Sequence, residues 1–356
     1  MKKVLGLTLV FLVGTQLAFS CTTFFINKNG QLAFGRNYDW ITDVGMVCKN
    51  TRGLSKTSMQ RSAGNTISWV SKYGSLTFNQ YGKEFPTGGM NEKGLVVELM
   101  WLEGSIYPKA DNRAEISVLQ WIQYQLDNCA SIDEVIETDK RIRIGAAGNP
   151  PLHYLVADAS GKAATIEFLN GKMVVHKGND LPFPVLTNTD YSTAYNQIKS
   201  SGSTSQINAS STFNDNSVQR FATACSMVQQ FQANDIKQSV IDYSFDILKQ
   251  VKQEGWTRWS IVYDLTNKTI HFKTARYAAI KSISFSDFDF NCNASPLSLN
   301  MNQPMQGKVS LQFKPYTTEV NKQLIETSVE ESKTQVTISE MDRKRLIDYP
   351  TLIKCQ

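Results

Sequence analysis

Histidine is scarce in this chain of 356 residues, which contains only three. His153, His176 and His271 lie far apart, and none has the short spacing that metal ligands show on a helix or a hairpin. Protein zinc sites are built mainly from clustered His and Cys side chains. The sequence therefore predicts no metal site.

Clustered basic charge and long apolar runs are also missing. The formal net charge is +5, but Lys and Arg are scattered along the chain, which argues against nucleic acid as a partner. A membrane-spanning helix needs about 20 predominantly apolar residues, and no segment supplies them, so we expect no stable membrane span. Without an internal repeat or a clear boundary, residues 21–356 are predicted to form a single domain.

Paired cysteine motifs are missing as well. Six cysteines are spread at wide spacings and no C-x-x-C pair occurs, so the pattern dictates no disulfide scaffold. Cys129 and Cys225 fall in apolar, helix-like stretches and are predicted to be buried thiols. Cys292 and Cys355 lie nearer the end, where a bridge between them would tie down the tail.

The first feature that is present is an export signal. Two lysines precede the apolar run Val4–Val13, and the small residues Ala18 and Ser20 occupy the two positions that a signal peptidase reads. The pattern predicts that residues 1–20 are a cleavable signal peptide and that the chain is exported to the periplasm or the extracellular space. Cleavage would leave Cys21 at the new N-terminus.

An N-terminal cysteine carries a thiol and a free α-amine on one residue, which supplies a nucleophile and a base together. The alternative is a lipoprotein signal, in which both groups of Cys21 are acylated and the chain is a lipid-anchored binding protein without catalysis. Such a signal normally has Leu three residues and a small residue two residues before the cysteine. This chain has Ala18 and Phe19 there, which favours the free aminothiol.

The predicted mature chain begins with a β-hairpin. Two β-rich runs flank the turn Asn29-Gly30, a strong signal for a two-residue loop. With these residues as the loop, Cys21 falls opposite Tyr38 and diagonal to Arg36 on the same face. Asp39 lies just past the end of the second strand. The hairpin thus brings a guanidinium and a carboxylate to the predicted chain terminus.

The remaining elements alternate between strands and helices. The predicted order is strands to Trp101, helices over 116–136, hairpins over 152–187, helices over 217–232 and 236–251, and a hairpin over 258–274. Residues 200–216 are rich in Ser and Asn and are predicted to form a surface loop. The polar tail beyond Thr317 gives no clear assignment. This order predicts an α+β fold with two antiparallel sheets between helical layers.

Five segments, in this order, resemble the choloylglycine hydrolase family. They are Cys21-Thr22-Thr23-Phe24, Gly35-Arg36-Asn37-Tyr38-Asp39-Trp40, Gly89-Met90-Asn91-Glu92-Lys93-Gly94-Leu95, Leu186-Thr187-Asn188 and Ser217-Val218-Gln219-Arg220-Phe221. That family contains bile salt hydrolases and penicillin V acylases and belongs to the N-terminal-nucleophile hydrolases. The resemblance covers residues 21 to about 274. It implies a four-layer αββα sandwich, no cofactor and a homo-tetramer.

The resemblance also assigns five catalytic residues. Cys21 corresponds to the nucleophile, Arg36 to the arginine that borders it, and Asp39 to the carboxylate that holds its α-amine. Asn188 corresponds to the asparagine whose amide stabilises the tetrahedral oxyanion, and Arg220 to an active-site arginine. A nearby cation favours a thiolate, and a carboxylate orients an amine, so the physical chemistry agrees with these roles.

Ordinary structural roles are the alternative for four of these residues. Arg36 and Asp39 would then form a surface ion pair worth at most about 1 kcal/mol. Asn188 would be a turn residue, since Asn is common in turns. Arg220 would lie on the solvated face of a helix, although a cation in the first turn is unfavourable.

The substrate pocket is predicted to be apolar. Trp101 stands where bile salt hydrolases commonly have Asn and many penicillin V acylases have Tyr. Together with Tyr38, Trp40 and Met90 it suggests a pocket for the steroid or aryl acyl group of a small-molecule N-acyl amide, unless these are core residues. Conjugated bile acids are the preferred substrates, and penicillin V or an N-acyl-homoserine lactone is the alternative.

Overall fold

The computed structural model describes residues 21–59, 65–146, 148–200 and 216–356. The predicted signal peptide, residues 1–20, and nearly all of the predicted surface loop at 200–216 lie outside the described residues. Within the described ranges, no helix is both long and apolar enough to cross a membrane.

The described residues contain 21 strands and seven α-helices. The strands are Thr22–Lys28 (β1), Gln31–Asp39 (β2), Met46–Asn50 (β3), Leu54–Thr57 (β4), Ser68–Val70 (β5), Ser75–Asn79 (β6), Pro86–Asn91 (β7), Val96–Trp101 (β8), Ala114–Ile116 (β9), Ile142–Ile144 (β10), Leu152–Ala157 (β11), Ala163–Leu169 (β12), Lys172–Lys177 (β13), Val185–Leu186 (β14), Thr257–Asp264 (β15), Thr269–Thr274 (β16), Lys281–Ser284 (β17), Leu297–Asn300 (β18), Gly307–Lys308 (β19), Lys314–Pro315 (β20) and Lys354–Cys355 (β21). The helices are Val118–Asn128 (α1), Ile132–Glu137 (α2), Tyr191–Ser200 (α3), Asn216–Ala233 (α4), Val240–Gln250 (α5), Thr318–Ser332 (α6) and Glu340–Asp348 (α7).

The β1–β2 hairpin has the predicted turn and register. Asn29 and Gly30 have φ values of 52° and 80°, as a tight hairpin turn that matches the strand twist requires. Pairing runs from Lys28 opposite Gln31 to Thr22 opposite Asn37. Continuing that register by one residue places Cys21 opposite Tyr38.

Two large sheets, in which nearly all strands are antiparallel, form the centre of the fold. One has the order β14-β1-β2-β15-β16-β17-β19, and the other has the order β13-β12-β11-β8-β7-β6-β3-β18-β20. Their inner faces meet through aromatic side chains. The Phe78 ring of the second sheet contacts the Tyr263 and Phe272 rings of the first sheet edge-on, at centroid distances of 6.1 and 5.6 Å. This dry interface is the main core.

Helices cover the outer faces of both sheets. Helices α4 and α5 pack on the first sheet, where the Asn37 side chain donates to the carbonyl of Leu248 at 2.7 Å. Helix α1 packs on β7 and β8 of the second sheet and begins after the N-cap Ser117, whose hydroxyl accepts from the backbone N–H of Gln120. The predicted four-layer αββα arrangement is therefore confirmed.

Helix boundaries depart from the prediction in two places. Helix α5 begins at Val240, later than the predicted Ile236, because Ser239 caps it by accepting from the N–H of Asp242. The unassigned tail contains α6 and α7. Helix α6 begins after the N-cap Thr317 and buries Leu324 and Ile325, which shows that tertiary packing stabilises a segment with a weak local signal.

The cysteines divide into buried thiols and one bridge. Cys129 and Cys225 are buried and free, as predicted. Cys292 and Cys355 form a disulfide, so the end of the chain is joined covalently to the segment that precedes β18. Strand β21 also pairs with β4. The tail is therefore fixed at its far end.

We predict that Gly35→Ala destabilises the fold. A Cβ atom at Gly35 would lie 2.2 Å from the Phe24 ring, and both residues belong to the central hairpin. Overpacking of this kind typically costs about 1–3 kcal/mol. Gly104→Ala is the matched control, because nothing lies within 4 Å of the added atom. Urea unfolding of both variants checks this, and equal stabilities would contradict the proposed packing.

Candidate active site

Cys21 lies immediately before β1 at the edge of the inter-sheet core. Its side chain is only 3% exposed, and its thiol donates to the carbonyl oxygen of Asp39 at 3.9 Å. The hairpin register causes this proximity, because Asp39 ends the strand that pairs with β1. The thiol and the end of β2 therefore share one buried site.

Arg36 is fully buried, and its hydrogen bonds hold it in one position. One terminal nitrogen donates to the carboxylate of Glu98 and to the carbonyl of Thr87, the latter at 3.1 Å, and the other donates to the carbonyl of Leu99 at 3.2 Å. Its guanidinium also covers the Tyr38 ring, 4.6 Å from the centroid. Arg36 is therefore no surface residue, and its ionic partner is Glu98 instead of Asp39.

Sequence reasoning missed Glu98. Its carboxylate accepts from Arg36 and from the hydroxyl of Tyr263, and Gly88 leaves it room, because a Cβ there would lie 1.9 Å from Oε2. Burial raises the pKa of Glu98 to about 7, against the opposing effect of Arg36. A lone carboxylate in the apolar strand Val96–Trp101 was the available signal, since buried charges need partners.

Asp39 is a second buried carboxylate, but it lacks such a partner. Among the described residues, neither of its carboxylate oxygens has a hydrogen-bond partner of ordinary geometry. Burial raises the pKa of Asp39 to about 7, while Thr257, Arg220 and Arg36 act in the opposite direction. An unpaired buried carboxylate is costly, so this site favours an added cation or hydrogen-bond donor.

The expectation that nearby cations favour the thiolate holds only in part. Burial raises the pKa of the Cys21 thiol to about 11, and the charge of Asp39 adds to the effect. Arg36 and Arg220 lower this pKa, but by less than burial raises it. While Ser20 precedes Cys21 in the chain, the nitrogen of Cys21 is a peptide nitrogen that cannot accept a proton. Burial therefore favours the protonated thiol in this arrangement.

Arg220 joins Cys21 to Asn188. One of its terminal nitrogens donates to the carbonyl of Cys21 and to the hydroxyl of Thr22, both at 2.6 Å, and the other donates to Oδ1 of Asn188 at 3.1 Å. Arg220 is 4% exposed. The structure therefore places Arg220 in the site. Its side chain does not lie on a solvated face of the helix.

These contacts fix the orientation of the Asn188 amide. Its oxygen faces Arg220, and its nitrogen donates to the carbonyl of Trp101 at 2.8 Å. An amide nitrogen carries two hydrogens, and no other described residue accepts from it. The second N–H can therefore donate to a developing oxyanion.

A buried histidine supports the loop that carries Asn188. Nε2 of His153 lies 2.7 Å from the carbonyl of Thr187, and Nδ1 lies 3.0 Å from Glu167. A carbonyl only accepts, so Nε2 carries a hydrogen. Glu167 in turn accepts from the backbone N–H of Tyr191, the first residue of α3. His153 therefore has a structural role in fixing the residue before Asn188.

The thiol opens on an apolar cavity of about 140 Å³. Its lining includes Cys21, Tyr38, Trp40 and Trp101, and the two indole rings lie 6.5 Å apart. The structure thus brings three of the four predicted substrate-binding residues to one cavity. A larger open groove of about 530 Å³ elsewhere is lined by none of the predicted site residues.

Met90 is the predicted substrate-binding residue that the structure does not bring to this cavity. It is fully buried within β7, where it pairs with Val96, and it does not line the cavity with Cys21. Its strand runs through the middle of the second sheet, so its side chain belongs to the core. Within the described ranges, no group of three or more His, Cys, Asp or Glu side chains could hold a metal ion.

Comparisons with known proteins agree with this geometry. The chain is 32% identical over 211 residues to a penicillin V acylase from Pectobacterium atrosepticum, which covers 53% of this chain and 54% of the relative. It is 29% identical over 177 residues to a bile salt hydrolase/transferase from Clostridium perfringens, which covers 46% of this chain and 51% of the relative. The chain thus spans about half the length of the curated relatives it matches.

The similarity to a solved structure covers more of the chain than the sequence matches do. The penicillin V acylase from Agrobacterium tumefaciens superposes with a TM-score of 0.70 at 25% identity, covering 83% of this chain and 98% of that chain. The fold is therefore that of an N-terminal-nucleophile hydrolase. The family described as linear amide C-N hydrolases, choloylglycine hydrolase family, matches residues 21–297. The chain belongs to the choloylglycine hydrolase family of linear amide C–N hydrolases.

Proposed function

We propose that removal of residues 1–20 converts this chain into an exported hydrolase with Cys21 as its N-terminal nucleophile. The unpaired buried carboxylate of Asp39 carries this proposal. A free α-amine on Cys21 would supply the donor and, when protonated, the positive charge that this carboxylate lacks. Processing would thereby create the base and orient it in one step.

The reaction then follows from the same groups. The α-amine takes the thiol proton, and the thiolate attacks the acyl carbon to form a tetrahedral intermediate whose oxyanion accepts from Asn188. The C–N bond breaks as the α-ammonium returns its proton to the leaving amine. Water hydrolyses the thioester, releasing the acid and restoring the thiol. Arg220 holds Cys21 and Asn188 together throughout.

The size of the cavity favours a compact acyl group. An engineered protein cavity of about 150 Å³ binds benzene, and the cavity beside Cys21 has about 140 Å³. The phenoxyacetyl group of penicillin V has one ring, whereas a conjugated bile acid carries a four-ring steroid. We therefore propose amides with a single-ring aryl acyl group as the substrates. The sequence-based preference for conjugated bile acids stays a prediction, as does the homo-tetramer.

Export is part of the proposal. The disulfide between Cys292 and Cys355 supports it, because structural disulfides persist in oxidising compartments and are rare in the cytosol. The leader over residues 1–20 points the same way. A periplasmic or extracellular location fits both features.

The first test compares two purified chains, one beginning at Cys21 and one beginning at Ser20. We expect turnover only from the first, because the second has an amide in place of the α-amine. Hydrolysis of penicillin V, glycocholate, taurocholate and an N-acyl-homoserine lactone is measured in parallel, with penicillin V expected to be fastest. In the Cys21 chain, Cys21→Ala should abolish turnover and Cys21→Ser should leave only a trace.

Turnover by the chain that begins at Ser20 would contradict the proposal. Intact-mass measurement of the exported product adds an independent check. A free Cys21 supports the hydrolase, whereas a diacylglyceryl mass would make the chain a lipid-anchored binding protein.

Asp39→Asn should change stability and activity in opposite directions. In the chain beginning at Ser20, the folded-state pKa of Asp39 is about 7, above its ordinary 3.8. Its ionisation therefore costs stability as pH rises from about 4 to about 7, and the cost is complete above that range. At pH 8 Asp39→Asn should stabilise this chain by about 1–4 kcal/mol, and below pH 4 by nothing.

Urea unfolding at pH 4, 6 and 8 measures the difference between parent and variant. In the chain beginning at Cys21, the same variant should lose turnover, because its α-amine is no longer oriented. A variant that is less stable than the parent at pH 8 would show that Asp39 is already paired before processing.

Asn188 is tested by two variants that separate its two contacts. Asn188→Asp keeps the oxygen that accepts from Arg220 but removes both N–H donors, including the one to the Trp101 carbonyl, whereas Asn188→Ala removes the acceptor as well. Loss of one oxyanion donor typically lowers kcat by about 10²–10³, and we expect this from both variants with little change in KM. Steady-state kinetics check it. Full activity in Asn188→Asp would contradict the donor role.

A further inference from the structure

We infer that the C-terminal segment of this chain sets the upper size of the acyl group, through Val336 and Ile338. The inference rests on the proposed function and concerns residues beyond the family region, which ends at residue 297. Val336, Thr337, Ile338 and Leu346 line the same cavity as Cys21 and Trp101. The connection between α6 and α7 therefore forms one wall of the pocket.

The first end of this connection is hydrogen-bonded to residues that line the cavity. Nε1 of Trp40 donates to the Tyr81 hydroxyl at 2.8 Å, and that hydroxyl donates to Oγ of Ser332 at 2.9 Å. The carbonyl of Ser332 accepts from the N–H groups of Gln335 and Val336, both at 2.9 Å, which closes the turn after α6. Hydrogen bonds thus link Trp40, which lines the cavity, through Tyr81 to Ser332, where the connection begins.

The other end is held by Tyr349 and the disulfide. The hydroxyl of Tyr349 donates to the carbonyl of Thr57 at 2.7 Å and accepts from Gln120 at 2.8 Å, and its ring packs edge-on against Phe85 at 5.3 Å. Beyond it, Cys355 is bonded to Cys292. The connection is therefore anchored on both sides of the cavity.

The side chains of the connection alternate in exposure. Val336 and Ile338 are half-buried, whereas Thr337 and Ser339 are exposed. This is the pattern of an extended segment with one apolar face. Two β-branched side chains on that face have few rotamers, so they define a stiff boundary for the acyl group. With this boundary in place, the cavity has room for about one ring.

The test changes the size of the wall in the full mature chain. Ile338→Ala enlarges the cavity and Ile338→Trp fills it. The exposed Met341→Ala on α7, where Met341 is 63% exposed, is the matched control. For each chain, kcat/KM is measured with penicillin V, with glycocholate and with an N-acetyl amide, whose acyl group needs no ring-sized space.

We expect Ile338→Ala to raise the ratio of glycocholate to penicillin V kcat/KM at least tenfold. Ile338→Trp should lower penicillin V turnover at least tenfold while the N-acetyl amide changes less than threefold. The inference would be overturned if both variants stayed within threefold of Met341→Ala. The ratio compared is glycocholate to penicillin V kcat/KM for Ile338→Ala, and penicillin V to N-acetyl amide kcat/KM for Ile338→Trp. If the parent hydrolyses none of the three amides, it is the proposed function that fails, so the two failures are distinguishable.

Discussion

The pairing of β1 with β2 is the constraint on which the site depends. Because side chains alternate between the faces of a sheet, a slip of one residue would turn Arg36 away from the core that it shares with Glu98. The two-residue turn at Asn29-Gly30 prevents the slip, since its backbone φ values suit a single loop length. The same register brings the end of β2 to Cys21. A local turn thus fixes the position of the Cys21 thiol beside Asp39.

The two buried carboxylates near Cys21 differ in how their charge is balanced. Glu98 accepts from both a guanidinium and a phenol, which holds Arg36 between the sheets. Among the described residues, neither carboxylate oxygen of Asp39 has a hydrogen bond of ordinary geometry, and the Thr257 side chain acts on it only as a weaker donor. Burial raises the pKa of both carboxylates to about 7. The two carboxylates therefore differ in their hydrogen-bond partners and not in the effect of burial. The first arrangement stabilises a fixed cation, and the second leaves a position that an added cation or hydrogen-bond donor can complete.

Structural features that depend on neighbouring residues could be predicted from the sequence, and features that depend on distant partners could not. The hairpin, its register and the layer order follow from turn residues and periodicity, and they are confirmed. Glu98 was missed because its partner Arg36 lies 62 residues away on the other sheet. Met90 lies in the core and not in the cavity lining, a difference that sequence cannot show because an apolar residue near a motif has the same pattern in a pocket as in a core. The tail gave no assignment because its helices are stabilised by tertiary contacts rather than by strong local patterns.

The proposed reaction chemistry and the proposed limit on substrate size come from separate parts of this chain. The groups proposed to act on the amide bond are Cys21, which immediately precedes β1, and residues of β2, the Asn188 loop and α4, all within the region matched by the family. One wall of the cavity comes from residues after that region, held by hydrogen bonds to Tyr81 and Thr57 and by a disulfide. A change in the wall can therefore alter which acyl group fits without moving the thiol. This separation explains how closely related sites could act on acyl groups of different bulk while keeping one mechanism.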